Sequence, residues 1–297
     1  MKVGVLMGGV SSERDVSLVT GKSIVENLDR KKYEVIPIII DSKEEVFEKV
    51  KGIDFAFLAF HGEFGEDGSI QSILEALNIP YSGSKALCSG ICMNKKQTKR
   101  ILKAEGIKTA KSVILQKGEK LDKKVTDNIG YPFVIKPCTG GSSIGVSIIK
   151  NKGNLDEAIE LGFKYDNEII IEEYLDGVEY TVPVLNGEAL PILKIIPKGE
   201  FYDYSSKYDD GGSDKLEACL SKELENELKI ISENCYKIFD CRSYVRVDFI
   251  VANGIPYVLE LNTLPGMTSH SLFPISASAI GIGFSELIDK IIEYSLT

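Results

Sequence analysis

Three short apolar runs in the first 80 residues constrain the fold more than anything else in the chain. Val3 to Met7 ends at Gly8-Gly9, Val35 to Ile40 ends at Asp41, and Asp54 to Phe60 ends at His61-Gly62. Short apolar runs stopped by glycine or a polar residue read as strands, the first of them buried. Between the first two, Val16, Val19, Ile24, Val25 and Leu28 recur at helical spacing; after the third, Ser69 caps a helix to about Leu77. Strand–helix–strand order demands a parallel sheet with helices on its faces. Ligands of such sheets sit beyond the strand C-termini, where three loops fall: 8–15, the segment after Asp41, and 61–68.

The remaining chain changes pattern. A polar helix covers about Asn94 to Glu105, and strands are expected at Ser112 to Leu115, Tyr131 to Lys136, Val146 to Ile149 and Ile169 to Glu173, with a helix near Leu155 to Lys164. Two strands joined by a tight glycine loop are antiparallel, so residues 84–175 form a small α+β unit. Longer strands follow at Glu179 to Val184, Leu190 to Ile196, Tyr244 to Val251 and Pro256 to Leu261. Leu224, Leu228, Ile231, Cys235 and Ile238 mark one helix, and Leu287, Ile288, Ile291 and Ile292 another. The Gly-, Asp- and Tyr-rich segment 197–215 has no periodicity, and loops of that length are usually functional. The expected division is 1–83, 84–175 and 176–297.

Composition removes several classes. The 297 residues are 43% hydrophobic and 27% charged, as in ordinary globular proteins. With 35 basic and 44 acidic residues, the net charge of −9 disfavours non-specific nucleic-acid or anionic-membrane binding. No apolar run approaches the ~20 residues of a membrane span, and the short apolar start meets charge too soon for a signal peptide. A cytoplasmic protein with reduced cysteines is expected. Cys88 and Cys92 lack a second pair to complete a zinc set, so most of the six cysteines read as small core hydrophobes.

Several segments could carry chemistry. In Lys136-Pro137-Cys138-Thr139-Gly140-Gly141-Ser142-Ser143-Ile144-Gly145, glycines and serines between two strands expose backbone N–H groups suited to phosphate oxygens, and Lys136 adds positive charge. No Lys-Ser/Thr follows the last glycine, so this is not a Walker A loop. Arg246 and Asp248 share one face of a strand, as do Glu260 and Asn262 on the next. If those strands pair, Asp248, Glu260 and Asn262 converge as a hard-oxygen set for Mg²⁺ or Mn²⁺. Ile169 to Glu179 is a strand entering a hinge, which by itself reads first as a domain crossover; its edge backbone groups near Glu173 to Leu175 also suit a purine, with Glu179 suited to a ribose. The loop 8–17 lacks the dinucleotide fingerprint, which argues against Asp41 as a ribose acid and against a nicotinamide dehydrogenase. Glu13 in that loop is fit to hold an amine. His61 lies in a glycine-rich segment, and Gly266 to Leu272, around His270, offers N–H donors at a helix start.

Taken together, these motifs resemble the D-alanine–D-alanine ligase family of the ATP-grasp superfamily over roughly residues 3 to 290. They run in the family's order: Gly-Gly-x-Ser-x-Glu-Arg, His-Gly-x-x-Gly-Glu-Asp-Gly, Met93-Asn94-Lys95, Lys136-Pro137 with Gly141-Ser142-Ser143-x-Gly145, Phe201-Tyr202-Asp203-Tyr204 with Lys207-Tyr208, Arg246-x-Asp248, and Glu260-x-Asn262 continuing to Thr268. The resemblance implies three α/β or α+β domains: an N-terminal parallel sheet, a central α+β domain and a mainly antiparallel C-terminal sheet, with ATP gripped between the second and third.

It also implies the reaction and its residues. One D-alanine carboxylate is phosphorylated by ATP, and the amine of a second attacks the acyl phosphate. Lys95 and Lys136 neutralise phosphates, with Ser142, Ser143 and Lys207 beside the nucleotide. Glu172, Leu175 and Glu179 contact adenine and ribose, and two Mg²⁺ or Mn²⁺ ions sit on Asp248, Glu260 and Asn262. Glu13 holds the first ammonium, Arg246 and the Gly266 N–H stabilise the tetrahedral oxyanion, and Ser271 and Lys207 hold the second carboxylate, with His61 and Leu272 beside the amino acids. Glu13, Ser142 and Tyr208 form a hydrogen-bonded set that closes the loop. In this family a Tyr at position 208 goes with D-alanine and a Phe with D-lactate acceptors. A homodimer is common among its members. The segment 209–220 lacks the family's usual Pro-Ala pair, and Cys138-Thr139-Gly140 varies the glycine flap.

Overall fold

The computed structural model describes residues 1–197 and 213–297. The first block builds β1 (Lys2–Gly8), α1 (Arg14–Asn27), β2 (Glu34–Ile40), α2 (Val46–Lys49), β3 (Phe55–Leu58) and α3 (Ser69–Ala76). Its strands pair in the order β2-β1-β3, all parallel, as the strand–helix alternation requires. Two local expectations are corrected. The buried face of α1 is Ser17, Thr20, Gly21 and Ile24, whereas Val19 is 61% exposed. The helix lies so close to β1 that a Cβ on Gly21 would stand 2.6 Å from Met7 Cβ, so small residues occupy the contact. The N-cap of α3 is Gly68 rather than Ser69; the carboxylate of Asp67 accepts from the Ser69 and Phe64 amides instead.

The second block comprises α4 (Ala86–Met93), α5 (Lys95–Ala104), β4 (Ser112–Gln116), α6 (Lys123–Ile129), β5 (Phe133–Pro137), β6 (Ser147–Ile149), α7 (Leu155–Tyr165) and β7 (Glu168–Glu173). Its sheet has the order β4-β7-β5-β6 and is antiparallel throughout. Strand alternation splits its residues. Phe133, Ile135, Ile169 and Ile171 join Leu155, Ala158 and Phe163 in one core. Val134, Lys136, Ile170 and Glu172 turn to the opposite face.

The third block holds β8 (Val178–Leu185), β9 (Glu188–Ala189), β10 (Leu193–Pro197), β11 (Ser213–Glu217), α8 (Lys222–Ile238), β12 (Tyr244–Ala252), β13 (Ile255–Asn262), α9 (Leu272–Ala279) and α10 (Phe284–Leu296). The sheet runs β11-β10-β8-β12-β13, with β9 on β8. Val182, Val245, Val247, Phe249 and Leu261 pack with Leu228 and Cys235 of α8, which sends Thr181, Arg246, Asp248 and Glu260 to the other side. Gly177 leads into β8 against the Val251 carbonyl, an approach that leaves no room for a Cβ. The core of the first block takes in residues from the chain's far side: Leu287, Ile288, Ile291 and Ile292 of α10 pack in one cluster with Val3, Phe55 and Phe57. Among the described residues, no helix is long and apolar enough to cross a membrane.

Candidate active site

The ligand edge of the parallel sheet forms as the loops were expected to form it. Gly8 ends β1, and its amide donates to Ser17 Oγ of α1 at 2.8 Å. Ser11 Oγ donates to the His61 carbonyl at 2.6 Å and accepts from the Glu13 amide at 3.1 Å, tying loop 8–15 to loop 61–68. Glu13 stands at the N-terminus of α1, where the helix dipole favours a carboxylate, and is buried. Asp41, considered as a ribose acid, instead pairs with Arg14 at the surface.

The glycine flap between β5 and β6 reaches this edge. Ser142 Oγ donates to Glu13 Oε1, 129 positions away in sequence. A Cβ on Gly141 would lie 3.8 Å from the Glu13 carboxylate and 3.9 Å from that of Glu66, while one on Gly266 would lie 3.0 Å from Ser271 Oγ and 3.9 Å from His61 Cε1. Four segments distant in sequence therefore meet around Glu13 and His61. Ser142 and Ser143 both have left-handed backbone, with φ of 52° and 59°. Such residues are uncommon outside glycine and mark a loop held by its surroundings. Cys138 at the flap's base is packing material, because burial pushes its thiol up to about 12. Lys95 holds the flap from α5: its amide donates to the Cys138 carbonyl at 2.8 Å, and its Nζ to the Gly140 carbonyl at 2.6 Å.

His61 Nε2 lies 3.0 Å from Thr20 Oγ1, and Nδ1 lies 3.7 Å from Glu66 Oε1. Burial pushes the Glu66 carboxyl above its ordinary range, opposed by the neighbouring His61. Ser271 Oγ accepts from the Thr268 amide at 3.1 Å and sits 2.8 Å from Thr268 Oγ1, just before α9, whose first residue, Leu272, is buried.

The β12–β13 register settles whether the acidic residues converge. Asp248 stands opposite Glu260 and Arg246 opposite Asn262 in an antiparallel pair, so all four share one face. A bulge after Asp248 shifts the register of the following residues. Arg246 grips Asp248 at both oxygens, Nε to Oδ1 at 2.9 Å and NH2 to Oδ2 at 2.7 Å, and Thr181 Oγ1 donates to Oδ1 at 2.6 Å. Asn262 Oδ1 accepts from the Leu264 amide at 3.2 Å. Asp248 is buried and already carries a cation, the guanidinium, and the neighbouring donors are hard oxygens. That chemistry fits Mg²⁺ or Mn²⁺.

On the central sheet, Lys136 Nζ meets Glu172 Oε1 at 2.5 Å and Lys99 Nζ meets Oε2 at 2.9 Å. Burial opposes ionisation of Glu172, but the two ammonium groups outweigh it and hold the carboxyl below its usual range. Leu175 lies just past β7, and Glu179 opens β8 beyond Gly177. Lys207 and Tyr208, with the Phe201 to Tyr204 motif, lie outside the described residues.

Sequence reasoning missed Lys99, Thr181 and the contact between Glu66 and His61. Lys99 had a signal, since it falls one helical turn after Lys95 and shares its face. Thr181 had none, because its role arises from β8 lying beside β12.

Comparison with known proteins decides the family. Residues 2–51 and 42–84 match the D-ala D-ala ligase N-terminus, and residues 101–293 match the D-ala D-ala ligase C-terminus. The chain belongs to the D-Ala–D-Ala ligase family. A D-alanine–D-alanine ligase of Clostridium botulinum (strain Loch Maree / Type A3) is 53% identical over 296 residues, spanning 100% of this chain and 99% of that protein. That of Clostridium beijerinckii is 51% identical over 297 residues, with the same coverage. Among solved structures, the Bacillus anthracis D-alanine–D-alanine ligase complexed with ATP superposes with a TM-score of 0.91 at 46% identity, covering 100% of this chain and 97% of that one. The VanG D-Ala:D-Ser ligase of Enterococcus faecalis gives 0.87 at 32% identity, covering 99% of each. This is the ATP-grasp architecture that the motifs imply.

Proposed function

We propose that this ligase-family chain joins two D-alanines in the cytoplasm, driven by ATP, through a D-alanyl phosphate. A carboxylate oxygen of the first D-alanine attacks the γ-phosphorus, and the bond to ADP breaks. The amine of the second attacks the acyl carbon, loses a proton, and phosphate leaves.

Each step asks something of the residues gathered here. Glu13 holds the first ammonium, with Ser142 fastening the flap across it. Closure excludes water, which otherwise hydrolyses the acyl phosphate. Arg246 and the Gly266 N–H stabilise the oxyanion of the tetrahedral stage. Ser271, with His61 and Leu272 beside it and Lys207 from the segment outside the described residues, receives the second amino acid; Tyr208 joins Glu13 and Ser142 in closing the loop. Lys95, Lys136 and Ser143 serve the phosphates, while Glu172, Leu175 and Glu179 take the base and ribose. Asp248, Glu260 and Asn262 would hold the divalent ions, which neutralise phosphate charge during transfer when bound.

The observation that carries this reading is the meeting of the flap with the N-terminal loop, Ser142 on Glu13, beside the Arg246–Asp248 face. The test is phosphate release from ATP with D-alanine, with L-alanine or with no amino acid. Release that depends on D-alanine is expected, and equal release in all three sinks the reading. Competition of D-alanine against D-lactate and D-serine at neutral pH tests the acceptor; the similarity to a D-Ala:D-Ser ligase makes D-serine the rival to include. Glu13→Gln, Lys136→Ala and Glu260→Ala are each expected to lower turnover at least about a hundredfold, on the order of 3 kcal/mol. Near-normal turnover in Glu260→Ala would overturn the metal assignment.

A further inference from the structure

Glu172 is a buried carboxylate with two buried lysines on it, and those lysines are held very differently. Lys136 projects from β5 and meets Oε1. Lys99 projects from α5; its Nζ donates to Thr109 Oγ1 and to the Ala110 carbonyl, each at 2.9 Å, and lies 2.9 Å from Glu172 Oε2 as an ion pair. Two hydrogen bonds thus hold the ammonium beside Glu172, while Oε2 itself has no hydrogen-bond partner among the described residues. Two cations on one carboxylate leave an excess positive charge in a buried place, an arrangement that calls for a further anion.

We propose that Lys99 is the positioning residue for purine selection: pinned by two hydrogen bonds and paired with Oε2, it keeps Glu172 in place as a pure hydrogen-bond acceptor for the purine 6-amino group while Lys136 turns to the phosphates. This rests on the reading of Glu172 as a contact to the base. With Lys136 turned to the phosphates and Lys99 removed, Glu172 has neither lysine beside it and takes up a proton instead. A protonated carboxyl donates as well as accepts, and no longer separates a 6-amino purine from a 6-oxo purine. Lys99 prevents that exchange.

The charged groups around Glu172 are few. Lys136 faces it from β5 and Lys99 from α5, Lys103 lies one turn beyond Lys99, and the strand partner on β4 is the neutral Ser112. The Lys99 ammonium is itself driven below its ordinary range, chiefly by burial, which fits a cation kept for its position.

The experiment measures KM and kcat for ATP and for inosine triphosphate, with D-alanine, at pH 6.5 and 8.5 in the full-length enzyme. Wild type should favour ATP by a ratio that does not change between the two pH values. Lys99→Met should lose at least tenfold of that preference at pH 6.5, regain part of it at pH 8.5, and raise KM for ATP more than it lowers kcat. A Lys99→Met enzyme that keeps the wild-type ratio at both pH values overturns the proposal, as does one that loses activity towards both nucleotides equally. Should Lys99→Met fail to fold, Thr109→Val decides: it removes one of the two hydrogen bonds that hold Lys99, and an unchanged ratio there overturns the proposal. A wild type that does not distinguish the two nucleotides refutes the base contact of Glu172 itself, a result separable from failure of Lys99 alone.

Discussion

At the scale of single residues, the site is organised by which carboxylates are allowed to be charged. Glu172 is charged because two lysines reach it; Glu66, largely desolvated beside His61, resists charging. The two therefore depend on pH in opposite ways. Glu172, held low in the folded state, contributes stability above the unfolded carboxylate value of 4.5 that is lost as acid titrates the folded group. Glu66, held high, binds its proton more tightly folded than unfolded, so stability falls as pH rises from 4.5 through its folded value. Glu66→Gln should therefore raise the melting temperature at neutral pH, and the gain should shrink towards pH 4, where the carboxyl is neutral in both states. A gain that persists unchanged at pH 4 contradicts this assignment. The sequence identified Glu13, Ser142, Arg246 and Asp248 through their motifs. It did not reveal that Arg246 occupies both oxygens of Asp248, because strand alternation gives a shared face but not which rotamer fills it.

At the scale of elements, the strands were legible and several short helices were not. Buried strands announce themselves as apolar runs, and β1, β2, β5, β7, β12 and β13 fall where those runs lie. The helices α2, α4 and α6 have four to eight residues each, too few turns for a period to stand out. Helix α1 was found with Ile24 and Leu28 on its buried side, but Val19 faces solvent and Ser17, Thr20 and Gly21 take its place, since the contact with β1 is set by closeness. Gly21 is its hinge of contact. Gly21→Ala gains up to about 1 kcal/mol of helix propensity but forces a methyl into Met7, and overpacking of that kind typically costs about 1–3 kcal/mol. A net fall in stability by urea unfolding is expected; a more stable variant shows that α1 moves off the sheet freely.

At the scale of the whole molecule, the first sheet does not own its core. Ile291 is fully buried among residues of β1 and β3, and Ser243, just before β12, donates to the Ile291 carbonyl at 3.0 Å. Ile291→Ala should cost about 2–5 kcal/mol and disturb the parallel sheet, read as faster amide exchange in β1 and β3. Unchanged protection there means the first block is finished by its own residues. Periodicity in the sequence showed that α10 is amphipathic, but not which surface it covers, because a helix's apolar stripe names no partner.

That borrowed helix has a consequence for how the chain comes into being. While a ribosome is still making residues 222–262, the first sheet has emerged with one flank bare, and the fragment must stay soluble until the segment at 284–296 arrives to seal it. Synthesis therefore passes through an interval in which the oldest part of the molecule is its least finished.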